Sequence, residues 1–330
     1  MKPIHLPARN LATATLLSLI ALGAHAQSSV SLYGLVDLSV GSSKAPGGTS
    51  STSLDSGKMT TSYIGFSGSE ELGGGLSAVF RVEGFLRADT GAQGRFDADA
   101  MWARTSSVGL SSKSAGTLTL GRNTTALFVN TLLFNAFGDS FGYSPSIRHY
   151  FTSGTVTGDT AWSQSIAYSS PAFGGVRAGF AATTKTGNGG NVGANVSYRN
   201  GPVSAGLALQ QVKKDTTGGA LDDTRTTQLG AAYDLTAIKL YGQVGKVKNL
   251  TTTNSYSIAS LGAKVPLGSG ALVAQYGSLS PDAGADRNTV SFGYLYNLSK
   301  RSEVYAVGMR DKIEELPSGH SYSLGIRHRF

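Results

Sequence analysis

The chain has 330 residues, no cysteine, 44 glycines, only 9 prolines, and 28 Lys and Arg against 20 Asp and Glu. Without cysteine there are no disulfides, no thiolate catalysis and no zinc-finger ligation. Glycine is about twice its usual ~7% share, and scarce proline argues against a disordered linker protein. The positive charge is dispersed, densest at Lys213-Lys214, Lys300-Arg301 and Arg327–Arg329, so with no basic patch or reading module, nucleic-acid binding is not expected.

At the N-terminus, residues 1–26 have the form of a secretory signal peptide. Lys2 and Arg9 supply the positive region, Leu11 to Gly23 an apolar stretch, and Ala24-His25-Ala26 the small-x-small pattern that signal peptidase accepts. The mature domain is expected to span 27–330. Without Lys2 and Arg9 its balance is 26 cations to 20 carboxylates, or +6. Beyond residue 26 no apolar run reaches the 18 or more residues of a membrane helix. The nearest, "ALFVNTLLFNAF" at 126–137, is short and broken by Asn and Thr.

From residue 30 onward the pattern has period 2, the mark of strands with one apolar and one polar face. "VSLYGLVDLSVG" (30–41) sets Val30, Leu32, Gly34, Val36, Leu38 and Val40 against Ser31, Tyr33, Leu35, Asp37 and Ser39. The alternation predicts further strands at 59–72, 76–85, 102–114, 116–127, 165–173, 175–185, 191–200 and 203–214. Others follow at 225–236, 238–244, 255–267, 270–280, 286–299, 302–313 and 320–330, sixteen in all. Short turn-forming connections, such as Gly73-Gly74-Gly75 and Asn200-Gly201-Pro202, alternate with long Ser/Thr/Gly/Asp-rich ones at 44–58, 88–101, 128–164 and 214–224.

An even number of ~10-residue strands with asymmetric connections predicts an all-β fold, a sixteen-stranded antiparallel transmembrane β-barrel. In lipid every backbone N–H and C=O must be paired, and for strands only a closed sheet does this. A secreted sandwich or solenoid is the competing fold; it rarely needs sixteen strands, and no fixed-period repeat is present. Closure also gives a reason for the chain to end on the strand "SYSLGIRHRF", because the last strand must pair with the first rather than fray. Phe330 then points outward at the bilayer interface, where aromatic girdles sit.

In order and spacing, "SLYGLVDLSVG", "GFSGSEELGGGLSAVFRVE", "VGLSSKSAGTLTLGRNTT", "IAYSSPAFGGVRAGF" and the terminal "LGIRHRF" resemble the Gram-negative general-diffusion porins of the β-proteobacterial type. The resemblance covers nearly all of the mature chain. It implies a homotrimer in the outer membrane among lipid and lipopolysaccharide, and a long third loop folded into the lumen. It also implies a terminal Phe330 read by the outer-membrane insertion machinery, and the passage of small hydrophilic solutes and ions.

A channel's chemistry is size exclusion and electrostatics. The segment 128–164 is far longer than ordinary connections, and its Phe128, Leu132, Leu133, Phe134, Phe137, Phe141 and Tyr143 are too apolar for a freely solvated loop. It is the candidate constriction; packing on a partner subunit is the other reading. Its charges are Asp139, Arg148 and Asp159, and alternation sends Arg81, Glu83 and Arg87 inward opposite them. Arg104 matches a pore-lining arginine of the resembled family. Either these groups set a transverse field, or Arg81 and Glu83 merely pair with neighbours in the wall. Tyr33, Asp37, Tyr63 and Ser67 are expected to line the lumen. Tyr63 and Ser67 stand where many family members carry arginine, and Ala161-Trp162 likewise at the end of the loop, which thins the basic cluster. The +6 charge still leans weakly towards anions, while Tyr63 or Trp162 in the lumen favours ring-bearing solutes. Arg122 shares the parity of Leu118 and Leu120, and an outward arginine is better read as a subunit contact than as facing lipid.

No cofactor or metal is implied. Asp222-Asp223 and Asp282/Asp286 form no recognised calcium loop. A barrel enzyme needs an activated nucleophile beside a base, and His149, His320 and His328 have no partner motif. A substrate-specific channel on the same barrel is the alternative that sequence cannot separate from a general porin.

Overall fold

The computed structural model describes residues 28–184, 190–213 and 222–330. The expected signal peptide lies outside the described residues, as do loop residues 185–189 and 214–221, Lys214 among them. In chain order the elements are β1 (Ser28–Lys44), β2 (Ser51–Ser56), β3 (Tyr63–Gly73), β4 (Leu76–Arg87), β5 (Ala92–Gln93), β6 (Thr105–Ser112) and β7 (Gly116–Thr124). Two helices follow, α1 (Ala126–Leu133) and α2 (Pro145–Phe151), then β8 (Ala161–Ser169), β9 (Val176–Thr183), β10 (Val192–Asn200) and β11 (Val203–Val212). The chain finishes with β12 (Thr224–Asp234), β13 (Lys239–Asn249), β14 (Ser255–Leu267), β15 (Gly270–Pro281), β16 (Arg287–Asn297), β17 (Ser302–Ile313) and β18 (Gly319–Arg329).

Sixteen of these strands form one closed antiparallel barrel, all neighbours in sequence pairing in space. The two extra strands are loop pieces. β2 caps the upper half of β1, from Leu38↔Ser56 to Ser43↔Ser51, and β5 pairs only with Leu86 and Arg87. Closure is made by β18 on β1, from Leu35↔Arg329 to Lys44↔His320. Phe330 extends the seam by one step: its N–H donates to the Gly34 carbonyl and its carbonyl accepts from Gly34 N–H. The Phe330 ring lies over Gly34, in the space that a side chain there would take.

Alternation holds around the wall. On β12, Thr224, Thr226, Gln228 and Gly230 are buried inside while Arg225, Thr227 and Leu229 are exposed outside. The outer surface carries exposed Val, Leu, Ile and Phe from nearly every strand, as a lipid face requires. Near the short-turn rim of β8–β18 these are joined by the exposed rings of Tyr168, Phe173, Tyr198, Tyr233 and Tyr296.

Most strands differ from the sequence reading by one to five residues at an end, β13 running to Asn249 rather than 244 and β8 stopping at Ser169 rather than 173. Three of the differing ends bear on the lumen. β3 begins at Tyr63 rather than 59, because residues 57–62 fold inward under Asp37. β7 stops at Thr124, since Thr125 turns to cap α1, its Oγ1 accepting from Phe128 N–H at 3.3 Å. β8 begins at 161, so the long loop ends four residues early.

Candidate pore and constriction

The segment between β7 and β8 lies inside the barrel. Pro145 occupies the first turn of α2, and Ser144 Oγ caps that helix by accepting from Ile147 N–H at 3.2 Å. Leu127, Phe134, Phe137, Tyr143, Ile147 and Tyr150 are all buried. Phe134 and Tyr150, with Ala136 and Pro145, meet a track of lumen-facing glycines on five successive strands: Gly206, Gly230, Gly245, Gly262 and Gly277. A Cβ built on Gly206 would lie 2.6 Å from Phe134 Cε2, one on Gly230 2.6 Å from Phe134 Cγ, and one on Gly277 2.6 Å from Pro145 Cβ. On Gly245 it would strike the Tyr150 hydroxyl. Glycine is needed there for space, so that the loop's rings reach the wall.

Polar bonds fix the register of this docking. Asn130 Nδ2 donates to Gln228 Oε1 at 2.8 Å, Gln228 Nε2 to Thr131 Oγ1 at 2.9 Å and Gln243 Nε2 to the Thr131 carbonyl at 2.9 Å. Ser146 and Ser260 hydroxyls meet at 2.7 Å, as do Tyr143 and Ser323. The loop therefore fills the β11–β18 side, and the open lumen lies against β4 and β6–β10.

The expected site residues divide into three groups. The first is a closed cluster: Arg104 Nε stands 3.2 Å from Glu83 Oε2, Tyr33 OH donates to Glu83 Oε1 at 2.7 Å, and the Arg104 guanidinium lies 4.1 Å from the Tyr63 ring centre. Arg87 sits apart at the loop rim, bonded to the exposed Asp97 at 2.7 Å. The second group is spent on docking. Asp139 accepts from Thr60 Oγ1 at 3.0 Å. Arg148 Nη2 reaches Asp311 Oδ2 at 2.9 Å. Arg287 bonds the same carboxylate, and Thr289 Oγ1 donates to its Oδ1 at 2.9 Å.

Of the expected site arginines, only Arg81, in the third group with Ser67, carries no ion pair among the described residues, the other four being paired. Asp139 has its hydrogen bond from Thr60 and no ion pair among those residues. The expectation of an acidic loop facing a cationic wall is thus replaced: the loop's charges are turned to the wall they dock on.

Two lumen expectations are also corrected. Asp37 is fully buried, its Oδ1 accepting from Tyr305 OH at 2.6 Å and its Oδ2 from Met59 and Thr60 N–H at 2.8 and 2.7 Å. It latches residues 57–62 and does not line open space. Trp162 is buried against Ala181 and Val212, so its indole does not face a solute. Arg122 finds partners in its own chain: a bulge after Gly121 lets it bond Asp159 Oδ2, the Ala103 carbonyl and Ser163 Oγ. Its charge needs no second subunit for compensation.

Sequence reasoning missed Arg177, Arg95 and the Arg287/Asp311 and Arg327/Glu303 pairs. Parity on β9 already sets Arg177 opposite Val176 and Phe180, inward with Gly179. Arg95 had no such signal, because its ion pairs with Asp99 at 2.8 Å and Asp159 at 2.9 Å depend on how two loops meet.

His149 is fully buried on α2, its Nε2 2.9 Å from Thr289 Oγ1. Since that hydroxyl donates to Asp311, the imidazole proton is assigned to Nε2. Burial first, and then the nearby Arg287, push His149 down to about 3; Arg148 acts the same way and Asp311 opposes them. A histidine depressed when docked and ordinary when released favours docking fully above pH ~6.5. It loses that contribution as pH falls, at about 1.4 kcal/mol per unit. Hydrogen exchange across 145–151, corrected for intrinsic rates, is expected to accelerate from pH 7 to pH 4 in the natural protein and to flatten in His149→Asn. Equal pH slopes in the two would show that another group controls docking.

Among the described residues no group of three or more His, Asp or Glu side chains is placed to hold a metal. Asp282 lies 3.8 Å from Lys246, and Asp222 accepts from Asn249.

A closed sixteen-stranded barrel with a loop docked in its lumen is the architecture of an outer-membrane diffusion channel. The Gram-negative porin family model matches residues 12–315, and the chain belongs to that family. It is 34% identical to outer membrane porin protein 32 of Delftia acidovorans, over 95% of this chain and 99% of that protein. Identity is 27% to an outer membrane porin protein of Bordetella pertussis, over 98% of this chain and 100% of that protein. The solved structure of the anion-selective porin from Comamonas acidovorans superposes with a TM-score of 0.80 at 28% identity, over 92% of this chain and all of that one. The protein is an outer-membrane porin, a water-filled channel for passive diffusion.

Proposed function

We propose that this porin prefers anions, works without catalysis, and assembles as a homotrimer. The observation that carries the anion preference is the asymmetry of pairing in the lumen. Glu83, Glu303 and Asp311 each pair with an arginine, whereas Arg81 and Arg177 line the same open space and carry no ion pair among the described residues. Paired charges cancel at a distance, while unpaired cations in a low-dielectric wall focus a positive potential. In this reading Arg81 is the principal constriction charge, and the Arg104–Glu83 pair shapes the opening without adding net charge.

The trimer reading is supported by the outer face. Next to the short turns, β3, β4, β6 and β7 present the exposed aliphatic side chains Leu72, Leu76, Leu110 and Leu118, as β1 does Val30, and the exposed rings of Phe66 and Phe80 lie farther from the turns. The aromatic girdle of β8–β18 is thus interrupted over the strands that a second copy would cover. Arg122 sits at the upper edge of that face, Phe330 at its lower corner as the assembly signal, and lipopolysaccharide surrounds the remainder.

The test is a reversal potential in a planar bilayer under a KCl gradient. Its sign is expected to favour chloride, and Arg81→Gln with Arg177→Gln to move it most of the way to the unselective value. A cation-selective natural channel would overturn the reading. Chemical cross-linking of the folded protein checks the trimer.

A further inference from the structure

The free face of the constriction loop is apolar. Helix α1 turns Leu127, Asn130 and Thr131 into the wall, and on its other side leaves Val129 36% and Leu133 47% exposed. These two aliphatic side chains border an open space of about 640 Å³ whose other walls carry Arg81, Arg177, Thr119 and Asn195. In a water-filled passage this is an unusual pairing. An aliphatic ledge on one side faces unpaired cations and hydrogen-bonding groups on the other, and no described carboxylate borders the same space.

Resting on the anion-preferring reading above, we propose that this passage selects organic monoanions with an apolar tail, carboxylates bearing a short aliphatic chain or a benzene ring, over equally sized hydrophilic anions. The carboxylate would meet Arg81 or Arg177, and the tail would lie on Val129 and Leu133. Two different physical terms then act on two ends of one solute. The arginines attract any anion, by Coulomb interaction that salt screens. The ledge removes apolar area from water, a term that salt does not weaken and that grows with each methylene. Full burial of a methylene is worth about four-fold in affinity, and contact on one side only about two-fold. Affinity must stay weak for a channel to conduct, because a solute that binds has also to leave. An open ledge meets that condition where an enclosed pocket would not.

The test is block of single-channel KCl current by acetate, butyrate, hexanoate, benzoate, gluconate and hexylammonium. In the natural protein the half-blocking concentration is expected to fall roughly two-fold per methylene from acetate to hexanoate. Benzoate is expected near hexanoate, with gluconate and hexylammonium both weak. Val129→Ser with Leu133→Ser should flatten the series and leave acetate unchanged. Both side chains are exposed, so the barrel is not expected to misfold, and an unchanged KCl conductance would verify this. Arg81→Gln with Arg177→Gln should weaken the whole series together. Equal potency of acetate and hexanoate in a chloride-selective channel would overturn this proposal alone, as would a gradient that survives the serine pair. Hexylammonium blocking as well as hexanoate would also overturn it, by removing the role of the arginines. A cation-selective KCl reversal would instead sink the anion reading beneath it.

Discussion

Phe134→Ala is expected to unseat the constriction loop at a cost of about 3–5 kcal/mol in docking free energy, the range for deleting a fully buried aromatic ring. Phe134 is 1% exposed and lies between the lumen-facing glycines of β11 and β12. No neighbour can refill the space, because those positions have no side chains. The reciprocal change, Gly230→Val, places methyl groups where the ring sits. Overpacking of this kind costs about 1–3 kcal/mol or more. The ring cannot retreat sideways past Gly206, so the segment 126–137 moves toward the open side. Single-channel conductance should fall and open-channel noise rise. In the double variant the valine side chain enters the space the ring has left, so the two costs are not additive, with a coupling of about 1–3 kcal/mol. Hydrogen exchange of 126–137 and conductance read the same cycle. Additive effects would mean that the ring and the glycine do not share one space.

The second large effect is expected at Asp311. Its carboxylate accepts from Arg148 on α2 at 2.9 Å, from Arg287 Nε on β16 at 2.9 Å and from Thr289. Asp311→Asn leaves two largely buried guanidiniums facing each other over a neutral amide. Removing one partner of a buried ionic group costs about 3–5 kcal/mol. Lumen water reaches both arginines, which places the expected loss at the lower end, about 3 kcal/mol. Since α2 is held to β17 through this group, exchange across 145–151 should accelerate about 100-fold, at 1.36 kcal/mol per decade. Adding Arg148→Gln removes one of the orphaned charges and should restore part of the protection. Unchanged exchange in Asp311→Asn would show that the buried side chains of Ile147 and Tyr150 hold α2 unaided.

Much of the barrel was legible in the sequence because its governing constraint is local. A strand between lipid and water must alternate, so the parity of Val30 to Val40, of Arg81 and Glu83, and of the final strand could be read residue by residue. The lack of a free edge follows from the need to pair every backbone group in lipid, and with it the closure of β18 on β1. The long apolar segment after β7 announced itself by length and composition, since seven large apolar side chains cannot remain in water. Parity also sufficed for Arg177, which alternation on β9 sends inward.

What alternation does not carry is the identity of a side chain's partner across the lumen. Arg148 and Asp139 read as pore charges because the loop bearing them was expected to enter the barrel. Which way they faced was decided by where Phe134 and Tyr150 found glycines to rest on. That choice turned the loop's charges to the wall and left Val129 and Leu133 facing the solute. Likewise Asp37 has the parity of a lining residue, but residues 57–62 fold over it, and Trp162 has the composition of a solute contact but is buried behind Val212. Arg122 looked like an unpaired outward charge until the bulge at Gly121 and the path of two loops brought Asp159 to it. The sequence determines each residue's side of the wall, because the pleat has a period of two; only the tertiary structure decides which charges remain free, because pairing across a lumen depends on how loops far apart in the chain dock.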